Sequence, residues 1–186
     1  MYLGQDVSLD DSRFSVEIDR RIRAANFTFN RYRSLFAARK VPMPLKKRLF
    51  EGAVLPALIY ASETWTLSKR LENRLAVAQR RWKRSMLGCS LLDRRTNEWV
   101  RDQTGLVDAV RVCGERRWRW AARIASQDPG RWTRAVLEVH PRGPKRRRGR
   151  PAMRWRDDFV KTVGPEFLRK AENAEEWSRS MTLQIP

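Results

Sequence analysis

Two pairs of adjacent carboxylates, Asp10-Asp11 and Asp157-Asp158, are the first residues in this chain with the means to do chemistry. Phosphoryl transfer through two metal ions gathers several carboxylates around cations about 3.5–4 Å apart. Neither pair has a third acid at a spacing that completes such a set. Asp157-Asp158 falls inside an amphipathic stretch and Asp10-Asp11 in a turn-like one, so both read as solvent-facing or capping acids. Cys89, Cys113 and the single histidine, His140, offer neither a CxxC pair nor the four ligands of a zinc site. The two thiols read as reduced and buried. There is no Gly-rich phosphate loop, no GxSxG elbow and no histidine-based nucleophile. The expectation is a chain with no catalytic residue, no metal and no cofactor.

A different chemistry is written in the basic residues. Lys145, Arg146, Arg147, Arg148 and Arg150 form a run, and Arg148-Gly149-Arg150-Pro151 resembles an AT-hook core. Glycine lets an extended backbone approach the floor of a narrow minor groove, and A·T tracts concentrate the negative potential that attracts arginine. The plainer reading is a solvated basic linker or an import signal. A second cluster interleaves arginine with tryptophan, Arg116-Arg117-Trp118-Arg119-Trp120-Ala121-Ala122-Arg123. Such a mixture can clamp phosphates and stack bases. At helical spacing Arg116, Arg119 and Arg123 share an outer face, while Trp118 and Ala121 point elsewhere, toward a core. Arg80 and Arg84 flank Trp82 in a third cluster of the same kind.

The bulk charge agrees with these clusters. Forty Lys and Arg against 21 Asp and Glu leave +19 on 186 residues, yet 41% of the chain is hydrophobic and eight residues are Trp. That apolar share supports a folded core, and a charge of this size points to a polyanionic partner, RNA or DNA. Residues 71–150 hold 21 basic and 8 acidic side chains, so most of the excess lies mid-chain. No apolar run approaches the ~20 residues of a membrane span, and no basic-then-apolar leader opens the chain. The expected setting is soluble and intracellular, in the reducing nucleus or cytoplasm, with neither a membrane nor a small-molecule substrate as partner.

Helices position these side chains. Ile18, Ile22, Ala25, Phe29, Tyr32 and Phe36 recur at steps of three and four, which stacks them on one helix face. Pro44 suits a first helical turn, with Leu45, Leu49 and Ala53 inward and Pro56 disturbing the end. Ser68 is a fair N-cap for a helix carrying Leu71, Leu75, Ala78, Trp82 and Met86, closed by a left-handed Gly88. Further helices are predicted over 96–103, stopped near Gly105, then over 108–126, around Trp132 and Val136, over 152–163, and over 165–180 with Phe167, Ala171, Ala174 and Trp177 inward. The spacing predicts an all-α fold: small helical bundles joined by a basic Pro/Gly/Arg linker.

The order of motifs resembles a known family. Tyr2-Leu3-Gly4-Gln5, Glu17-Ile18, Val54-Leu55-Pro56, Glu63-Thr64-Trp65, Gln79-Arg80-Arg81, Met86-Leu87-Gly88, Asn97-Glu98, Trp118-Arg119-Trp120-Ala121, Gly149-Arg150-Pro151 and Arg154-Trp155-Arg156-Asp157-Asp158 follow one another. The ordered set is similar to the C-terminal part of a LINE-type, non-LTR retrotransposon endonuclease/reverse transcriptase. That resemblance implies a thumb-like helical region over 1–105, with 1–5 a remnant of the palm end. It further implies a helical Arg/Trp-rich segment over 106–140, a basic linker over 141–151 and a C-terminal helical pair over 152–186. The palm's aromatic-Ala-Asp-Asp motif and the endonuclease are absent, so the implied role is noncatalytic holding of template–primer or target DNA. The chain departs from the family where Ala122-Arg123 replaces a Gly-His pair and where Ala61 stands in place of a common Gly. Two rival readings are a stand-alone AT-hook-like architectural protein and the non-functional product of a truncated element.

Overall fold

The structure, a computed structural model, describes residues 13–128, 130–138 and 154–184. Its helices are α1 (Arg13–Arg31), α2 (Arg33–Ala37), α3 (Met43–Leu49), α4 (Leu55–Leu58), α5 (Lys69–Leu87), α6 (Asn97–Thr104), α7 (Ala109–Ala125), α8 (Trp132–Glu138), α9 (Asp157–Val163), α10 (Phe167–Ala171) and α11 (Ala174–Gln184). A π-helical turn, Phe50–Val54, joins α3 to α4, and a 3-10 turn covers Ser62–Thr64. No strand occurs among the described residues, and the fold is all-α. No helix among them is long and apolar enough to cross a membrane. The linker expected over 141–151 lies outside the described residues, as do Asp10, Asp11 and His140.

The chain divides into two compact units, one built from residues up to 61 together with 67–113, the other from 62–66 together with 114 onward. In the first, α1 buries Ile18, Ala25 and Phe29, and the turn at Tyr32 brings the fully buried Phe36 of α2 back over Phe29. Those rings stack 4.5 Å apart, and Trp82 of α5 and Phe50 complete the aromatic group at 6.1–6.5 Å. These separations fall in the range where aromatic pairs add about 0.5–1.5 kcal/mol beyond area burial. Leu71, Leu75 and Met86 of α5 continue the apolar face. Gly88 and Gly105 close α5 and α6 in the left-handed conformation, at φ 67° and 56°, where an added Cβ would be strained. Ser68 occupies the N-cap position of α5, although its side chain makes no capping bond there.

The helix beginning at Pro44 turns a different face inward than expected. Leu45 is half exposed, Leu49 and Ala53 are half-buried, and Lys46, Phe50 and Val54 point into the core instead. Lys46 Nζ donates to the Met86 carbonyl at 3.1 Å, tying α3 to the end of α5. Pro56 does not end the helix. A proline has no N–H to bond the carbonyl four residues back, and its ring collides with that carbonyl. The π turn ahead of it, in which the Leu55 N–H donates to the Phe50 carbonyl, opens the backbone and lets the helix run on to Leu58.

The second unit is organised by tryptophan. Trp118, Ala121 and Ala125 of α7 pack with Phe159, Phe167, Leu168, Ala171 and Trp177. Trp118 lies 4.4 Å from Trp177 and 5.2 Å from Phe159. Indole N–H groups seek acceptors when buried: Trp177 donates to the Trp118 carbonyl at 2.9 Å and Trp155 to the Glu63 carbonyl at 2.7 Å. The single helix expected over 165–180 is two, because Asn173 interrupts it and accepts from the Glu175 and Glu176 amides as the cap of α11. Ala174, expected inward, is exposed, and so are Trp132 and Val136 on α8.

Ala61 sits at φ 58°, a left-handed position that costs a residue with a Cβ about 1–2 kcal/mol. Ala61→Gly is expected to stabilise the chain by roughly 0.5–1 kcal/mol, the relief of strain exceeding the added unfolded-state entropy. Urea denaturation checks this, and a destabilised variant would contradict it.

Candidate nucleic-acid interface

A chain this basic has to decide which cations it buries. Arg117 lies on the α7 stripe Cys113, Arg117, Ala121, Ala125, whose other members are apolar and buried. Its guanidinium donates to Asp158 at 2.7 Å and to the Trp155 carbonyl at 2.9 Å, and it lies 5.4 Å from the centre of the Phe159 ring. Asp158, expected to face solvent or cap a helix, is therefore the anchor of a buried arginine. Asp157 does close a turn, accepting the Arg154 N–H at 2.7 Å. Arg134 donates to the Ala125 carbonyl at the end of α7 and Arg156 to the Leu137 carbonyl of α8. Cations at helix C-termini are favoured by the backbone dipoles there. Of the thiols, Cys113 is buried and Cys89 only partly so, and they are not joined in a disulfide.

The other arginines of α7 face outward. Arg119 is exposed and pairs with Glu115 at 3.1 Å, in a helical pair of the kind worth a few tenths of a kcal/mol. Arg123 is exposed and rests 5.8 Å over the half-buried Trp120 ring. Arg116 is half-buried. Three of the expected contact residues thus share the outer side of one helix whose inner side is Trp118 and Ala121. Lys145, Arg146, Arg147, Arg148 and Arg150 lie outside the described residues.

In the other unit, Arg80 and Arg84 stand one turn apart on α5. Arg84 is partly committed, donating to the Arg95 carbonyl at 3.2 Å and to Asn97 Oδ1 at 2.9 Å. Arg80 makes no hydrogen bond or ion pair with the described residues. Between them Lys83 is buried, with Nζ 3.4 Å from the Leu106 carbonyl. Burial pushes its ammonium below the ordinary lysine range, Arg101 and Arg80 push the same way, and Asp108 opposes them. Gln79, also buried, bonds at both ends, donating to the Val107 carbonyl at 2.6 Å and accepting the Ala109 N–H at 3.0 Å. Sequence reasoning missed Lys83, Arg101 and Asn97 as neighbours of Arg80. The position of Lys83, four residues after Gln79 on the inner edge of α5, was the available signal.

The turn that leads into α6 is preorganised. Asp93 accepts from the Ser90 N–H at 2.6 Å and the Ser90 hydroxyl at 3.1 Å, leaving Leu91 and Leu92 at 79% and 90% exposure. Thr96 then caps α6 through the Trp99 amide. Among the described residues no three His, Cys, Asp or Glu side chains gather to hold a metal ion.

Fold and surface together define an all-helical, strongly basic chain whose outward arginines stand on aromatic cores. Over 167 residues it is 32% identical to an uncharacterized transposon-derived protein of Caenorhabditis elegans, an alignment covering 88% of this chain and 59% of that protein. The chain thus spans about three fifths of its relative's length, and the similarity supports a transposon origin. No protein-family model matches the chain, and no solved structure matches it.

Asp158→Asn removes the carboxylate from a buried guanidinium and is expected to cost about 2 kcal/mol, less than the roughly 3–5 kcal/mol of a fully buried pair because the aspartate side chain is 35% exposed. Arg119→Gln is expected within about 0.5 kcal/mol of the parent. Equal effects in urea denaturation would contradict the division between buried and outward arginines. The Ser90 bonds hold the Asp93 carboxyl below its ordinary 3.8, with Arg95 adding to the effect. The turn's contribution is therefore full above 3.8 and lost as pH falls through the lowered folded value. The Ser90 amide proton is expected to move upfield with a midpoint below 3.8, and a midpoint at or above it would contradict the assignment.

Proposed function

We propose that this chain is a nucleic-acid-holding, noncatalytic portion of a non-LTR retrotransposon reverse transcriptase, gripping template–primer or target DNA beside a polymerase centre it does not itself build. The observation that carries the reading is the outward arginine face of α7, where Arg119 and Arg123 are exposed and no buried pair consumes them. The ordered motifs, the +19 charge and the transposon-derived relative support it. Mechanistically, guanidinium groups meet phosphate oxygens in forked, charge-assisted bonds, and Trp120 beside Arg123 supplies an aromatic ring for stacking. Such contacts fix the register of a duplex without reading its sequence. Lys145–Arg150 would add a second electrostatic clamp.

The test is binding of the purified chain to duplex DNA and to RNA–DNA hybrid across a salt series. With about six phosphates neutralised, log K is expected to fall against log salt with a slope near −5. Arg119→Glu with Arg123→Glu is expected to weaken binding uniformly across sequences, and template-directed primer extension with Mg²⁺ should yield no product. A slope near zero, or any template-dependent extension, would overturn the reading. A second reading rests on Arg148-Gly149-Arg150-Pro151, the hook-like element. If it holds, Arg148→Ala and Arg150→Ala weaken A·T-rich duplex selectively, whereas equal losses on G·C duplex and hybrid count against it.

A further inference from the structure

We infer that the cleft between α5 and α6 is a built site for one phosphate group, formed by Arg80, Lys83, Asn97 and Arg101. The inference rests on the nucleic-acid reading for the source of that phosphate, a backbone phosphodiester, and not for the site itself. These four side chains line a single small cleft with Asp108 at its rim, about 60 Å³ in volume. In this measure one water needs about 10–15 Å³, so the cleft has room for a phosphate-sized group.

Charge supplies the reason for an occupant. Three cations face one another across the cleft, against one carboxylate. Asp108 is itself partly committed: one oxygen accepts the Val110 N–H at 3.0 Å and the other stands 3.7 Å from Arg101. Lys83 is 4% exposed, and its one acceptor among the described residues, the Leu106 carbonyl, is at the long distance of 3.4 Å. Buried ammonium groups carry three donors and are costly when those donors go unmatched. Burial lowers the proton affinity of Lys83, and Arg101 and Arg80 add to that effect while Asp108 opposes it. An oxyanion in the cleft would be attracted by all three cations and would supply acceptors for their donors, against the repulsion of the one carboxylate.

The donors are also of the kinds that a phosphate oxyanion takes. Arg84 holds Asn97 Oδ1 at 2.9 Å, which commits the amide oxygen away from the cleft and leaves its NH₂ as the donor. Arg80 has no partner among the described residues and stands three residues before Lys83 on α5, so both reach the same side. Lysine contributes a point charge and the arginines forked donors, the pairing used wherever phosphate is both attracted and oriented.

The experiment uses the full chain and inorganic phosphate as the probe. At constant ionic strength, replacing chloride with phosphate is expected to raise the melting temperature of the parent chain, and Arg80→Gln is expected to abolish most of that rise. Arg80 makes no intramolecular bond among the described residues, so this variant keeps the fold, which circular dichroism checks. Lys83→Met should behave alike, and Arg169→Gln, on an exposed pair in the other unit, should keep the parent's response. No phosphate effect in the parent, or an undiminished one in Arg80→Gln, overturns the site. In the nucleic-acid series, Arg80→Gln is expected to flatten the salt slope by about 0.9, the loss of one phosphate contact. A parent that responds to phosphate but binds no nucleic acid keeps the cleft as a free-phosphate site and removes only the functional reading.

Discussion

Each cation buried among the described residues is handed a specific oxygen, and the rest of the structure follows from that requirement. A net +19 repels itself, and an unmatched buried charge costs several kcal/mol. Lys46 meets the Met86 carbonyl, Lys83 the Leu106 carbonyl, and Arg117 both Asp158 and the Trp155 carbonyl. In each case the oxygen sits at a helix end or a chain reversal, where backbone carbonyls lack helical partners. The buried cations therefore double as caps, and they fix where α3 meets α5 and where α7 meets α9. Arginines that no such oxygen claims remain on the outer surface, facing water and any polyanion.

The aromatic residues do the complementary work. Tryptophan in an Arg/Trp-rich chain invites a stacking role, yet Trp65, Trp82, Trp118 and Trp177 are all buried. Trp155 spends its indole N–H on the Glu63 carbonyl. That leaves Trp99 and Trp120, half-buried under Arg95 and Arg123, and the exposed Trp132 as rings with open surface. Stability and the proposed nucleic-acid contact thus draw on the same two residue types, sorted by the face of the helix they occupy.

Much of this was legible in residue spacing. Thr96, Gly88 and Gly105 mark helix ends by mechanisms that act locally, and the Ile18 to Phe36 stripe stays in phase across the break at Tyr32. The outer placing of Arg119 and Arg123 and the inner placing of Trp118 follow from the same 3.6-residue period. Where the reading went astray, a long-range partner decided. Lys46 turned inward because a carbonyl forty residues away receives it, shifting the phase of Leu45, Leu49 and Ala53. Asp158 turned to Arg117 for a similar reason, although a lone arginine between Cys113 and Ala121 was a signal of a buried pair. Asn173, three residues before Glu176, was a capping pattern that marked the break between α10 and α11. The cleft at Lys83 needed two helices brought together, which no single-helix periodicity contains.

Photocrosslinking of a template–primer hybrid to the full chain, with crosslinked peptides mapped by mass spectrometry, tests the nucleic-acid-holding role most directly. Crosslinks are expected to concentrate on the outer residues of α7 around Arg119 and Arg123 and on α5–α6 around Arg80 and Arg101, and to fade as salt rises. Crosslinks spread over every exposed helix, α10 and α11 included, or an absence of crosslinks at low salt, would contradict that role.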